Sequence, residues 1–152
     1  MIRAVIGVGP RVGTSFTMKS LIDAGLPVYW DQCFDDLLPK AGNTAGYYET
    51  DYVNLSDLSD VVVKVWPLAA HLASIEKAVI LERNRDCQLA SIEKQLVRER
   101  ELLATLGITW TAEEFIDQAE KALTPLLSIP HLRIRTEDLD DRIDDIITFM
   151  RY

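Results

Sequence analysis

The first sixteen residues constrain the chain more than any other stretch. Ile2 to Val8 is a short, nearly unbroken apolar run, which predicts a strand buried on both faces. Gly9-Pro10-Arg11-Val12-Gly13 follows as a glycine-rich turn. Thr14-Ser15 then opens a segment with helical spacing at Phe16, Met18, Leu21 and Ile22. A strand, a glycine-rich turn and a helix start can together cradle a phosphate. Glycines let backbone N–H groups turn toward an anion, and the helix N-terminus adds its partial positive charge. An ordinary strand-to-helix turn, with glycine at positive φ and Thr14 or Ser15 as N-cap, uses the same residues. The loop is not a Walker A motif, which places Lys and then Ser or Thr directly after its second glycine. Here Gly13 is followed by Thr14 and Ser15, and the only cation, Arg11, lies inside the turn.

If the turn holds an anion, local cations must do the work, because the net charge is −8. That charge also argues against broad nucleic-acid binding. The acid is concentrated late, at Glu137 to Asp141 and Asp144-Asp145, and reads as a solvated helix start. A length of 152 residues with 48% hydrophobic content predicts one domain, residues 1–152, with a real core. Cys33 and Cys87 make neither a disulfide framework nor metal-ligand spacing, so no metal is expected and a reducing, cytoplasmic compartment is the simplest reading. Ile2–Val8 is too short for a signal peptide, and no apolar run reaches the roughly 18 residues of a membrane span.

Further along, strands alternate with helices. The first helix is expected over about 14–24, closed by Gly25, and Pro27 to Trp30 is a short extended piece. Residues 31–46 read as a long loop and 48–57 as a short helix. Val61 to Trp66 is a β-branched strand ended by Pro67, Leu68–Ser74 a short helix, and Ala78 to Leu81 a third strong strand. A single long amphipathic helix is expected over 86–106, ended by Gly107. Thr111 and Glu114 form a capping box for a helix over 112–127. Leu132 to Arg135 is a fourth strong strand, and the last helix covers about 139–150. This alternation predicts an α/β fold with a mostly parallel sheet of four to five strands between helical layers. In such sheets ligands bind at the carboxyl ends of the strands.

The turn after the third strand is the second informative stretch. Arg83 leaves the strand and Ser91 sits on the early turns of the next helix, so an Arg fork and a hydroxyl could grip a phosphate. The alternative is that Arg83 and Arg85 merely pair with Asp86 or Glu82.

Taken together, the two stretches resemble the P-loop sulfotransferases, which use 3′-phosphoadenosine 5′-phosphosulfate as co-substrate. Gly9-Pro10-Arg11-Val12-Gly13-Thr14-Ser15 resembles their 5′-phosphosulfate loop, with Val12 in place of a small residue. Arg83-Asn84 with Ser91 resembles their 3′-phosphate motif at the same spacing. The bacterial branch offers further likenesses in Gly25-Leu26-Pro27-Val28, Gly46-Tyr47-Tyr48-Glu49, the strand-end Lys64 and Arg135-Thr136-Glu137-Asp138-Leu139. The chain is much shorter than most such enzymes. It carries Trp66 where the cytosolic branch has its catalytic histidine.

The resemblance implies a P-loop NTPase-like three-layer α/β/α domain that moves a sulfuryl group to an acceptor hydroxyl or amine. Arg11 would neutralise the leaving group, and Gly13, Thr14 and Ser15 would bind the 5′-phosphate through backbone N–H groups. Arg83 and Ser91 would take the 3′-phosphate, and Lys64 would approach the sulfuryl group. Glu49 is the first candidate for the base. His71, among Leu68, Ala69, Ala70 and Leu72, is the second, but a satisfied structural histidine explains it better, while a surface or helix-start glutamate explains Glu49 equally well. The acceptor would be a small molecule or carbohydrate selected by the 31–47 loop, with neither nucleic acid nor membrane as partner. The Leu/Ile stripe of 86–106 leaves surplus for a homodimer contact. Two other readings stay open: a P-loop nucleotide kinase relative, and a non-catalytic module that keeps the nucleotide or phosphate site.

Overall fold

The structure is a computed structural model, and it describes residues 1–9, 12–31, 48–50, 52–98, 100–105, 107 and 109–152. The elements in chain order are β1 (Ile2–Gly7), α1 (Thr14–Asp23), β2 (Val28–Tyr29), a 3-10 turn at Tyr52–Asp57, β3 (Val62–Val65), a 3-10 turn at Pro67–Leu72 and β4 (Ile75–Glu82). They continue with α2 (Arg85–Arg98), α3 (Arg100–Thr105), α4 (Ala112–Leu123), a 3-10 turn at Thr124–Ser128, β5 (His131–Arg135), a 3-10 turn at Thr136–Asp138 and α5 (Leu139–Arg151).

The five strands form one sheet in the order β2-β3-β1-β4-β5, and every pairing is parallel. β1 is central, which explains its unbroken apolar run: Ala4, Val5 and Ile6 are fully buried. The edges are polar or short. β2 has two half-buried residues and follows Pro27, whose missing N–H is tolerated on an edge. On β5, at the other edge, only Ile134 is buried.

Alternation along the strands divides the core into two layers. On one face Val5, Val62, Val79, Leu81 and Ile134 pack against Met18 and Leu21 of α1 and Leu139, Ile146 and Met150 of α5. On the other, Ala4, Ile6, Val63, Val65, Ala78 and Ile80 pack against Ala119 and Leu123 of α4 and the 3-10 residues Leu55 and Ala70. α2 lies outside α4, through Ile92 against Phe115 and Ile116. The chain is thus an α/β protein with helices on both faces of a parallel sheet.

Local signals account for most element ends. Gly25, at φ +79°, closes α1: its N–H donates to the Ile22 carbonyl at 2.9 Å and that of Leu26 to Leu21 at 3.0 Å, a Schellman motif. The Thr111–Glu114 capping box forms as expected. The helix expected over 86–106 is described as Arg85–Arg98 and Arg100–Thr105, on either side of residue 99, which lies outside the described residues. Three spans differ from the sequence expectation. α4 stops at Leu123, and Pro125 continues it only as a 3-10 turn because proline cannot donate within a helix. Among the described residues of 48–57, Tyr52–Asp57 forms a 3-10 turn and Tyr48 to Thr50 carries no helix.

β4 begins at Ile75, three residues before the apolar run. Lys77 disguised this start, yet it is only 8% exposed. Its ammonium donates to the Phe149 carbonyl at 3.0 Å and lies 5.3 Å from the centre of the Phe149 ring. A buried cation is therefore satisfied at the carboxyl end of α5, where the helix dipole favours it.

Candidate functional site at the carboxyl edge of the sheet

β1 and β4 are neighbours, and the chain leaves them toward opposite faces. From β1 it turns to α1 on one side, and from β4 to α2 on the other. A crevice opens where adjacent parallel strands diverge in this way, and the glycine-rich loop begins there.

Close approach, more than backbone freedom, dictates the glycines of this loop. A Cβ on Gly7 would stand 2.5 Å from Val12 Cγ2 and 2.9 Å from Thr14 Cγ2. One on Gly9 would stand 2.8 Å from Gln88 Nε2. Gly13 needs both freedoms, since its φ is +93° and a Cβ would meet Leu139 Cδ2 at 2.5 Å. Gly13 is also the N-cap of α1. It offers no side-chain cap, and the first turn of α1 carries no acidic residue to offset the positive helix end. Thr14 and Ser15 open that turn. Val12 is fully buried in the core between β1 and α5, so the bulk that sets it apart from the usual small residue anchors the loop. Pro10 and Arg11 lie outside the described residues.

A hydroxyl ties the crevice together. Thr136 Oγ1 lies 2.8 Å from the Val12 carbonyl and 3.0 Å from the Glu82 carbonyl, joining the ends of β4 and β5 to the loop. A hydroxyl has one proton, so it donates to one carbonyl at a time or shares it between them.

Lys64 sits on β3 opposite Val5 of β1, and alternation turns it to the α1 face. Its ammonium pairs with Glu49 Oε1, with the two side chains 16% and 32% exposed. Glu49 is held by its surroundings: its carbonyl accepts from the Asp31 N–H at 2.9 Å. Its neighbour Tyr48, at φ +54°, stacks edge-on against Trp30 with centroids 5.3 Å apart. The structure thus brings together the two residues that sequence reasoning chose for the sulfuryl group and the base. The loop at 32–47, expected to select an acceptor, lies outside the described residues.

At the mouth of β4, Asn84 caps α2, its Oδ1 accepting from the N–H groups of Asp86 at 3.0 Å and Cys87 at 3.4 Å. Arg83 is half-buried beside it, and Ser91 is half-buried on the second turn of α2. The alternative role for Arg83 and Arg85 fails. Glu82 is taken by Arg133 at 2.8 Å, and neither arginine makes an ion pair among the described residues. Glu137, on the 3-10 turn after β5, accepts the Asn84 N–H at 3.1 Å. That bond first, then its own backbone N–H and the charges of Arg135 and Arg83, hold its carboxyl below the ordinary value.

Two expected residues lie apart from this edge. His71 is exposed on the last turn of the 3-10 segment after β3. Trp66 is 40% exposed and lies 6.2 Å from the Phe115 ring, on the α4 side. Two surface cavities also lie elsewhere. One, of about 300 Å³, is lined by Leu96, Val97, Leu103 and Trp110. The other, of about 500 Å³, is lined by Lys77, Phe149 and Tyr152.

Sequence reasoning missed Gln88 and underrated Thr136. Gln88 is 3% exposed, and its Nε2 has no hydrogen-bond partner among the described residues. A signal was present: Gln88 precedes the buried Ile92 by one helical turn, so it is a polar residue on an inward face. Comparison with protein-family models and with curated proteins yields no match for this chain.

Proposed function

We propose that this chain is a small sulfotransferase of the P-loop type, using 3′-phosphoadenosine 5′-phosphosulfate and an acceptor hydroxyl or amine. The observation that carries the reading is the convergence at one sheet edge. An uncapped helix start behind a glycine-rich loop, the Lys64–Glu49 pair and Arg83, which has no ion-pair partner among the described residues, all belong to the carboxyl ends of β1, β3 and β4. The residues fit a phosphate-bearing group, because the α1 start carries neither a side-chain cap nor an acidic residue, and the buried Gln88 amide beside the loop has no partner among the described residues.

When bound, the co-substrate supplies a sulfuryl group on a good leaving group. The acceptor oxygen bonds to sulfur as the bond from sulfur to the 5′-phosphate oxygen breaks, and the electron pair stays on the phosphate. Loop N–H groups at Gly13, Thr14 and Ser15, with Arg11, stabilise the negative charge that develops there. Glu49 takes the acceptor proton; a carboxylate has lone pairs beyond the one its Lys64 contact uses. Lys64 holds Glu49 in place and lends charge to the sulfuryl oxygens. Arg83 and Ser91 grip the 3′-phosphate, which distinguishes this nucleotide from ATP.

A calorimetric titration with adenosine 3′,5′-bisphosphate, AMP and ATP with Mg²⁺ tests the reading. The bisphosphate is expected to bind best, and Arg83→Ala to weaken it about 10- to 150-fold, the value of one charge-assisted contact. Better binding of ATP with Mg²⁺ points instead to a kinase relative, and binding of none of the three removes the nucleotide reading. Trp66, placed against Phe115 where a histidine base is absent, favours a binding module as the second reading. Glu49→Gln separates the two: a transferase loses about 10²–10⁴ of its turnover with binding kept. A module binds the bisphosphate with no turnover to lose.

A further inference from the structure

We propose that Gln88 is a ligand-binding residue of the loop between β1 and α1, its Nε2–H donating to an oxygen of the phosphate-type anion seated there. The inference rests on the reading that this loop holds such an anion. It adds a residue that the family likeness does not supply.

The geometry is specific. Gln88 lies in the first turn of α2, its backbone N–H bonded to the Asn84 carbonyl at 2.9 Å, so the helix fixes its position. With Ile92 one turn on, it forms the part of α2 that lies against the loop. A Cβ at Gly9 would stand 2.8 Å from Gln88 Nε2 and 3.3 Å from Ile92 Cδ1. Gly9 has no positive φ, and a side chain there would press on the ends of the Gln88 and Ile92 side chains.

A buried amide donor with no partner costs free energy, and native proteins seldom leave one so. An apolar side chain at this position would pack beside Ile92 without that cost. A glutamine there, unpaired among the described residues and directed at the loop, fits a donor that is completed when an anion arrives. Arg83, two residues before α2, and Asn84, its cap, lie at the same end of the helix. α2 would therefore contribute to both anionic groups of one ligand.

The test compares wild type with Q88L and Q88E. Each is titrated calorimetrically with inorganic pyrophosphate and with adenosine 3′,5′-bisphosphate, and each is melted without either probe. Q88L keeps the bulk and removes the donors, and Q88E keeps the shape and exchanges the N–H groups for oxygen. Q88L is expected to melt at or above the wild-type temperature, because it removes a group unpaired in the free protein. It is expected to bind both probes about tenfold or more weakly, and Q88E more weakly still.

Wild-type affinity in Q88L overturns the assignment. So does a lowered melting temperature in Q88L, which would mean that the amide already has a partner. If pyrophosphate binds and responds to Q88L while the bisphosphate does not bind, Gln88 stands and the sulfonucleotide reading falls. If both bind and neither responds, the reverse holds. If wild type binds neither probe, both fall.

Discussion

Replacing Gly13 by alanine should destabilise the protein through two separable effects. The backbone effect follows from φ +93°, a left-handed conformation that costs an L-residue about 1–2 kcal/mol. The packing effect follows from Leu139 Cδ2, which would stand 2.5 Å from the new methyl group. Leu139 is 5% exposed and packed with Val12 and Ile146, so it can turn away only into occupied space. Overpacking of this kind costs about 1–3 kcal/mol. Gly13→Ala should therefore lose about 2–5 kcal/mol in all.

Gly25→Ala provides the internal control. Its φ is +79°, but a Cβ there meets nothing within 4 Å, so only the backbone cost of about 1–2 kcal/mol applies. Urea unfolding of both variants, with the slope checked for constancy, measures the difference. In a Leu139→Ala background the cost of Gly13→Ala should fall to that of Gly25→Ala, a coupling of about 1–3 kcal/mol. Equal losses for Gly13→Ala and Gly25→Ala, or a Gly13 cost that ignores Leu139, would refute the packing argument.

Thr136→Val keeps the shape of the side chain and removes the proton that the Val12 and Glu82 carbonyls share. Unfolding should show a loss of about 1–3 kcal/mol, and Thr136→Ser should restore most of it. Lys77→Met keeps the stem over Phe149 and strands the Phe149 carbonyl, so thermal and urea unfolding should show a loss of about 1–3 kcal/mol. Glu137 has a carboxyl held below its ordinary 4.5, so its stabilising contribution is complete above that value and is lost as pH falls through the lower folded value. Melting temperature measured against pH should therefore fall less steeply below about pH 4.5 in Glu137→Gln than in wild type.

The central strand, the loop after it, the α1 ending at Gly25 and the Thr111 cap were legible because each rests on residues that touch neighbours in sequence. An apolar run, a positive-φ glycine and a capping box carry their physics within four or five positions. The start of β4 was not legible, because Lys77 breaks the apolar pattern and is compensated only by a carbonyl 72 residues away.

For the site, sequence alone determined which residue types could hold an anion and which strand ends would carry them. The glycines after β1, Arg83 beyond β4 and Lys64 on β3 were all visible as chemistry. Only the tertiary structure decided who meets whom. Sheet order places β3 and β4 on either side of β1, and the helices that cover its two faces bring α2 over Gly9 and α5 over Gly13. Lys64 finds Glu49 across 15 residues, and Thr136 finds Val12 across 124. The physical reason is that periodicity reports only which face a residue occupies along its own element. Which element lies against that face depends on how all the apolar faces are buried together.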